Sequence, residues 1–163
     1  MFKIFNTKNK SGFTLVEVLV ACVIISTTVL ALMSATSKSI ELSNKALRQV
    51  QVNMLLEEGA EAVKSIRDNS WTGISGLNVN TNYSLLFNGN AWTILPTNPT
   101  EVVDGLFTRK VVFAPVYRNA TDDIAQSGTL DPDTEKVTVT VSWKSPSGAS
   151  IKDLSFYIAN IFK

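Results

Sequence analysis

The chain has 163 residues and a mass of 17.8 kDa, enough for one ordinary domain or for a membrane segment with a smaller domain. It contains no histidine and a single cysteine, which excludes Ser-His-Asp and Cys-His catalysis, the usual histidine-containing zinc sites and any intramolecular disulfide. A formal net charge of +1 offers no electrostatic reason to expect nucleic acid as a ligand.

The charge is unevenly placed. Lys3, Lys8 and Lys10 precede Gly12 and every acidic residue follows it, leaving 12 basic against 14 acidic groups beyond residue 12. From Val18 to Ser37 run 20 consecutive uncharged residues, and about 20 helical residues at about 1.5 Å each cross a hydrocarbon core of about 30 Å. The run is longer than the core of an ordinary signal peptide, whose nearest cleavage candidate would be the small-residue stretch from Ala31 to Ala35. A membrane span is therefore expected, with the leading lysines cytoplasmic, the C-terminal portion outside, and Lys38 closing the far end. Cys22, within the run, reads as a small hydrophobe.

Glu17 stands at the entrance of this span, where an acidic side chain costs about 2–3 kcal/mol even on lenient insertion scales. Either it lies one turn deep and reaches back to the headgroups, or it has a cationic partner. A cut after Gly12 would create one, because Phe13 would then carry a protonated α-amino group about one helical turn away.

The residues "GFTLVE" followed by "VLVA", 12 to 21, resemble the prepilin processing motif of type IV pilins and type II secretion pseudopilins. The resemblance implies cleavage between Gly12 and Phe13 by prepilin peptidase, N-methylation of the new Phe13 amine, and a role for Glu17 in recruiting or registering subunits during assembly. A glycine at residue 12 adds no side chain where a peptidase must approach the backbone. Unlike many major pilins, the chain has no proline or glycine between Phe13 and Gly59, and no cysteines for a C-terminal disulfide loop. Ser26, Thr27 and Thr28 form the one polar, partly β-branched weak point of the span.

Beyond Lys38, Ile40, Leu47, Val50, Met54, Leu56, Ala60, Val63 and Ile66 recur at three- and four-residue steps and predict an amphipathic helix facing a sheet. Glu57, Glu58, Glu61, Lys64 and Arg67 read as its solvated face. Stop signals gather at Arg67 to Ser70 and at Gly73. A continuous helix from Phe13 to about Asn69 would extend about 85 Å, a structural spine.

The period then changes to two. Tyr83 to Phe87 and Ala91 to Leu95, joined by Asn88-Gly89-Asn90, predict a hairpin. Leu106 to Phe113 predicts a strand ended by Pro115, and Lys136 to Trp143 one with Val137, Val139, Val141 and Trp143 on one face. After a turn at 145–148, Ile151 to Ile158 pairs back. The segment from Arg118 to Glu135, with Asp122, Asp123, Asp131 and Asp133, reads as a solvated loop; its acidic residues lack the spacing of a calcium-binding loop. Trp71, Trp92 and Trp143 could form a platform, but core packing is the default for Trp92 and Trp143 in strands.

The expected fold is α+β, a long N-terminal helix packed on a C-terminal antiparallel sheet, which the resemblance names pilin-like. Its expected parts are a basic leader (1–12), a membrane and assembly helix (13–37), an amphipathic continuation (38–70) and an extracytoplasmic sheet domain (71–163). The resemblance implies a structural filament subunit, and stretches such as Leu55 to Ala60, Ile66 to Asp68 and Val141 to Trp143 resemble minor pilins or pseudopilins. Implied partners are prepilin peptidase, other pilin or pseudopilin subunits, an ATP-driven inner-membrane assembly machine and the membrane; no catalytic site, cofactor or metal is expected. A single-span anchored protein presenting its sheet to an extracellular ligand is the alternative, and it would need neither Gly12 nor Glu17.

Overall fold

A computed structural model describes residues 12–96, 101–145 and 148–162. The chain divides between Leu47 and Arg48 into two compact units, and helix α1 (Leu15–Asn69) contributes to both. Lys3, Lys8 and Lys10 lie outside the described residues.

In the first unit α1 is long and apolar enough to cross a membrane, and the residues of that stretch are all exposed. Its start is set by Thr14, whose Oγ1 accepts a hydrogen bond from the Glu17 backbone N–H at 3.3 Å, the N-cap geometry that satisfies one orphan donor of a helix. The hydroxyls at the suspected weak point turn inward on the helix itself: Ser26 donates to the Cys22 carbonyl, Thr27 to those of Val23 and Ile24, and Thr28 to those of Ile24 and Ile25. No break interrupts α1 there.

The second unit is a helix-on-sheet layer. Val52, Leu55, Leu56, Gly59, Ala60, Ala62, Val63 and Ile66 form the buried face of α1, at the three- and four-residue steps that place side chains on one stripe. This corrects the predicted stripe in its first half, where Ile40, Leu47, Val50 and Met54 are exposed. Val50 and Met54 lie two residues from Val52 and Leu56, about 200° around the helix. After Asn69 a short turn, α2 (Thr72–Ser75), buries Ile74, and Trp71 before it is also buried in the core.

Among the described residues the sheet has seven antiparallel strands: β1 (Asn82–Phe87), β2 (Trp92–Pro96), β3 (Glu101–Val103), β4 (Phe107–Arg118), β5 (Ile124–Ala125), β6 (Thr129–Ser145) and β7 (Gly148–Ala159). The order is β2-β1-β4-β6-β7, with β3 and β5 also on β4. The predicted hairpin is β1–β2, in register from Tyr83↔Pro96 to Phe87↔Trp92. The core faces α1 through Tyr83 and Leu85, Phe107, Val111 and Phe113, Val137, Val139 and Val141, and Ile158; Trp92 and Trp143 pack against it.

Two strand expectations are corrected. β4 does not stop at Pro115 but runs to Arg118. The ladder with β6 shifts there, from Pro115↔Glu135 to Val116↔Asp131, a bulge on β6 containing Pro132. The Phe113 carbonyl accepts from the Asn80 N–H at 2.7 Å, so by the two-residue repeat residue 115 also faces away from β6, and the N–H that proline lacks is not one the β4–β6 ladder uses. The acidic segment is likewise no simple loop, since β5 and the first turn-free stretch of β6 occupy much of it. Of the predicted turn at 145–148, residues 146 and 147 lie outside the described residues.

Candidate functional site

The N-terminal constellation is assembled by a single helix start. Gly12, Phe13 and Thr14 precede the first helical residue, Leu15, so the Gly12–Phe13 peptide bond sits in non-helical backbone rather than inside the helical hydrogen-bond ladder. Phe13 is 82% exposed. A Cβ built on Gly12 would meet nothing within 4 Å, so the fold of the described residues places no demand for glycine at residue 12. Any such demand comes from whatever approaches it.

Glu17 falls in the first turn of α1, three residues after the capping threonine, and it is exposed. There the helix macrodipole presents about half a positive charge, and a carboxylate is favoured by about 0.3–1 kcal/mol. That is a third reason for an acid at this position beside the two the sequence suggested. The signal was in the sequence, since "TLVE" is the Thr-x-x-Glu spacing of a capped helix start. The arrangement holds an acid, a non-helical peptide bond and an aromatic side chain within about one turn.

The second unit, the head, carries a buried charge that the sequence pattern alone does not single out. Arg109 is 1% exposed and occupies a core-facing position of β4, between Phe107 and Val111. Its Nε donates to Glu101 Oε2 at 3.0 Å and its Nη2 to Glu101 Oε1 at 2.5 Å. Nη1 donates to the Leu55 carbonyl of α1 at 3.2 Å, and Glu58 Oε1 lies 3.5 Å away. The guanidinium also sits 5.6 Å from the Trp92 ring centroid, within cation–π range. Glu58 is thus part of a helix-to-sheet clamp rather than only of a solvated face, while Arg67 pairs with Asp68 at 2.7 Å and Glu61 with Lys64 at 2.7 Å. A charge inside the alternation of an apolar strand face was the readable sign.

The acidic segment organises around Arg118. Its Nε donates to Asp131 Oδ2 at 2.7 Å and its Nη1 to the Asp122 carbonyl at 2.8 Å. Asp133 is held by Asn160, whose Nδ2 donates to Oδ1 at 3.0 Å. The Arg118 guanidinium holds the Asp131 carboxyl below its ordinary range, and Asp131 in turn raises Arg118. Burial alone pushes Glu135 up, and its Oε2 has no hydrogen-bond partner among the described residues. Among those residues no three of His, Cys, Asp and Glu come together to hold a metal ion.

Of the known families compared, the prokaryotic N-terminal methylation motif matches residues 7–33, a span that contains Gly12, Phe13 and Glu17. It is the prepilin-type signature of type IV pilins and pseudopilins. No curated protein and no solved structure matches the chain.

Proposed function

We propose, for a chain that carries the prepilin-type signature, the function of a structural subunit of a type IV pilus or type II secretion-like filament, more specifically a minor pilin or pseudopilin. The observation that carries the reading is the match over residues 7–33, laid on a helix start that leaves the Gly12–Phe13 bond outside the helix. Such families are structural and generally non-enzymatic.

The sequence of events follows from charge and solvation. The precursor sits in the cytoplasmic membrane by one span, lysines inside and head outside. Prepilin peptidase cuts after Gly12, and Phe13 gains an α-amine, which is N-methylated. A cation at a helix N-terminus opposes the macrodipole, and Glu17, one turn on, offsets both. In a filament Glu17 of one subunit pairs with the Phe13 amine of a neighbour, an arrangement favoured because either charge left alone in low dielectric is costly. The exposed apolar side chains of α1 then exchange lipid for neighbouring helices under the inner-membrane assembly machine, with packing as the driving force.

The test is intact-mass and N-terminal analysis of protein recovered from membranes and from sheared filaments. A mature chain beginning at Phe13 supports the reading; an uncut Met1 start, or a cut near Ala35, defeats it.

A further inference from the structure

The chain holds one Asn-Gly step, Asn88–Gly89, and it forms the exposed tip of the β1–β2 hairpin. The tip is closed by the Asn88 backbone N–H, which donates to the Ala91 carbonyl at 3.2 Å. Inside that closure the Asn88 side chain folds forward over the loop. Its Oδ1 accepts from the backbone N–H of Asn90 at 3.0 Å and from that of Ala91 at 2.9 Å. Gly89 has a φ of 88°, a left-handed conformation that favours glycine, and a Cβ built on it would meet nothing within 4 Å. Among the described residues the Gly89 N–H has no hydrogen-bond acceptor.

These features converge on one reaction, attack of the Gly89 nitrogen on the Asn88 side-chain carbon. The nitrogen is open to solvent, carries no neighbouring Cβ to crowd its approach, and gives up no hydrogen bond when it loses its proton. The side chain is already turned over the peptide group it must meet, so little orientational freedom remains to be lost. The two N–H groups on Oδ1 polarise the amide and face the oxygen on which negative charge develops, as donors of an oxyanion hole do.

We propose that Asn88 is a self-modification site, converted in the folded chain to isoaspartate and aspartate through a cyclic imide. Hydroxide takes the Gly89 amide proton, the nitrogen bonds to Cγ, and the electron pair of the Cγ–Oδ1 double bond moves onto Oδ1 against the Asn90 and Ala91 N–H groups. The pair returns as the bond from Cγ to Nδ2 breaks, and Nδ2 leaves as ammonia with a proton from the water just formed, which restores the hydroxide. A second water then opens the ring. Breaking the bond from the Gly89 nitrogen to the Asn88 main-chain carbonyl carbon gives isoaspartate, and breaking the bond to Cγ gives aspartate. In sum an amide and one water become an acid and ammonia, with nothing oxidised or reduced. The isoaspartate form routes the main chain through Cβ and Cγ, one methylene longer, beside the Phe87↔Trp92 pair that begins the ladder, and both forms add a negative charge to the tip. The step needs neither membrane nor filament and stands apart from the reading above.

Asn119 is an internal comparison. Its Oδ1 also accepts two backbone N–H groups, those of Thr121 and Asp123, at 2.9 Å each. The residue after it is Ala120, whose Cβ crowds the attacking nitrogen.

The test incubates the full chain in detergent at mildly alkaline pH and follows digests by mass spectrometry that separates isoaspartyl from aspartyl peptides, with thermal melts showing that the chain stays folded. Asn88 should convert ahead of every other asparagine, Asn119 included. Its rate should exceed that of a synthetic peptide of residues 85–93 in the same buffer by about two- to tenfold, the worth of one hydrogen bond in the transition state, because water alone meets Oδ1 in the peptide. In Asn88→Ser the acidic species that builds up on ion exchange should be lost. An unchanged Asn88, a rate at or below that of the peptide, Asn119 keeping pace, or an undiminished acidic species in Asn88→Ser each overturns the proposal.

Discussion

Gly59 of α1 and Arg109 of β4 are so close that a Cβ at residue 59 would lie 3.3 Å from Arg109 Cδ, and 2.8 Å from Val139 Cγ1. The helix rests on the sheet at this point because residue 59 has no side chain. Gly59→Val should therefore lower unfolding stability by about 1–3 kcal/mol, the usual cost of overpacking. Gly59→Ala should cost less, since alanine returns up to about 1 kcal/mol of helix propensity. Urea titration of the full chain in detergent, followed by tryptophan fluorescence, measures both.

The clamp beside that contact predicts an asymmetry. Glu101→Gln leaves a buried guanidinium without its principal counter-charge and should cost about 3–5 kcal/mol. Arg109→Met removes the buried charge itself and fills the space apolarly, so its cost should be smaller. The double variant should be more stable than Glu101→Gln alone, and a denaturation cycle over the four proteins checks the order.

Two carboxylates give pH dependences of opposite sign. Asp131 is held low by Arg118, so its contribution is present above the ordinary aspartate range and is lost as pH falls through the lowered value. Arg118→Met should flatten the acid limb of the melting-temperature profile. Glu135 is raised by burial from an ordinary value of 4.5. Its contribution is fully present below that value and is lost as pH rises through the raised one. Glu135→Gln should thus raise the melting temperature at pH 7 and leave it nearly unchanged at pH 3.

At the N-terminus, Gly12→Asp should stop processing while leaving the melting of the head unchanged, because a Cβ at residue 12 meets open space. Glu17→Ala should still be cut, but should appear in sheared filaments at least about tenfold less, as expected when a charge pair worth more than about 1.4 kcal/mol is lost. Quantitative mass spectrometry of membrane and filament fractions separates the two effects.

What the sequence disclosed and concealed follows from range. The long apolar helix, its stop at Asn69 and the β1–β2 hairpin are written in neighbouring residues, and so is the methylation motif over residues 7–33. Pro115 reads as a strand end, but whether a proline ends a strand depends on which edge its nitrogen faces, and here that edge has no partner strand at residue 115 among the described residues. Asp131 looked solvated because its partner Arg118 lies 13 residues away. Thr14 and Arg109 were legible but unread: one by its spacing to Glu17, the other by sharing the parity of Phe107, Val111 and Phe113.

The hydroxyls of Ser26, Thr27 and Thr28 have a consequence beyond the integrity of α1. Each already donates its proton to a carbonyl of the preceding turn, so none asks a hydrogen bond of its surroundings. To a neighbour this stretch offers methyl and methylene groups and hydroxyl oxygens that can accept a hydrogen bond but have no proton left to place. Its surface is indifferent to whether an acyl chain or another helix lies against it, and it can trade one for the other without a single hydrogen bond being broken.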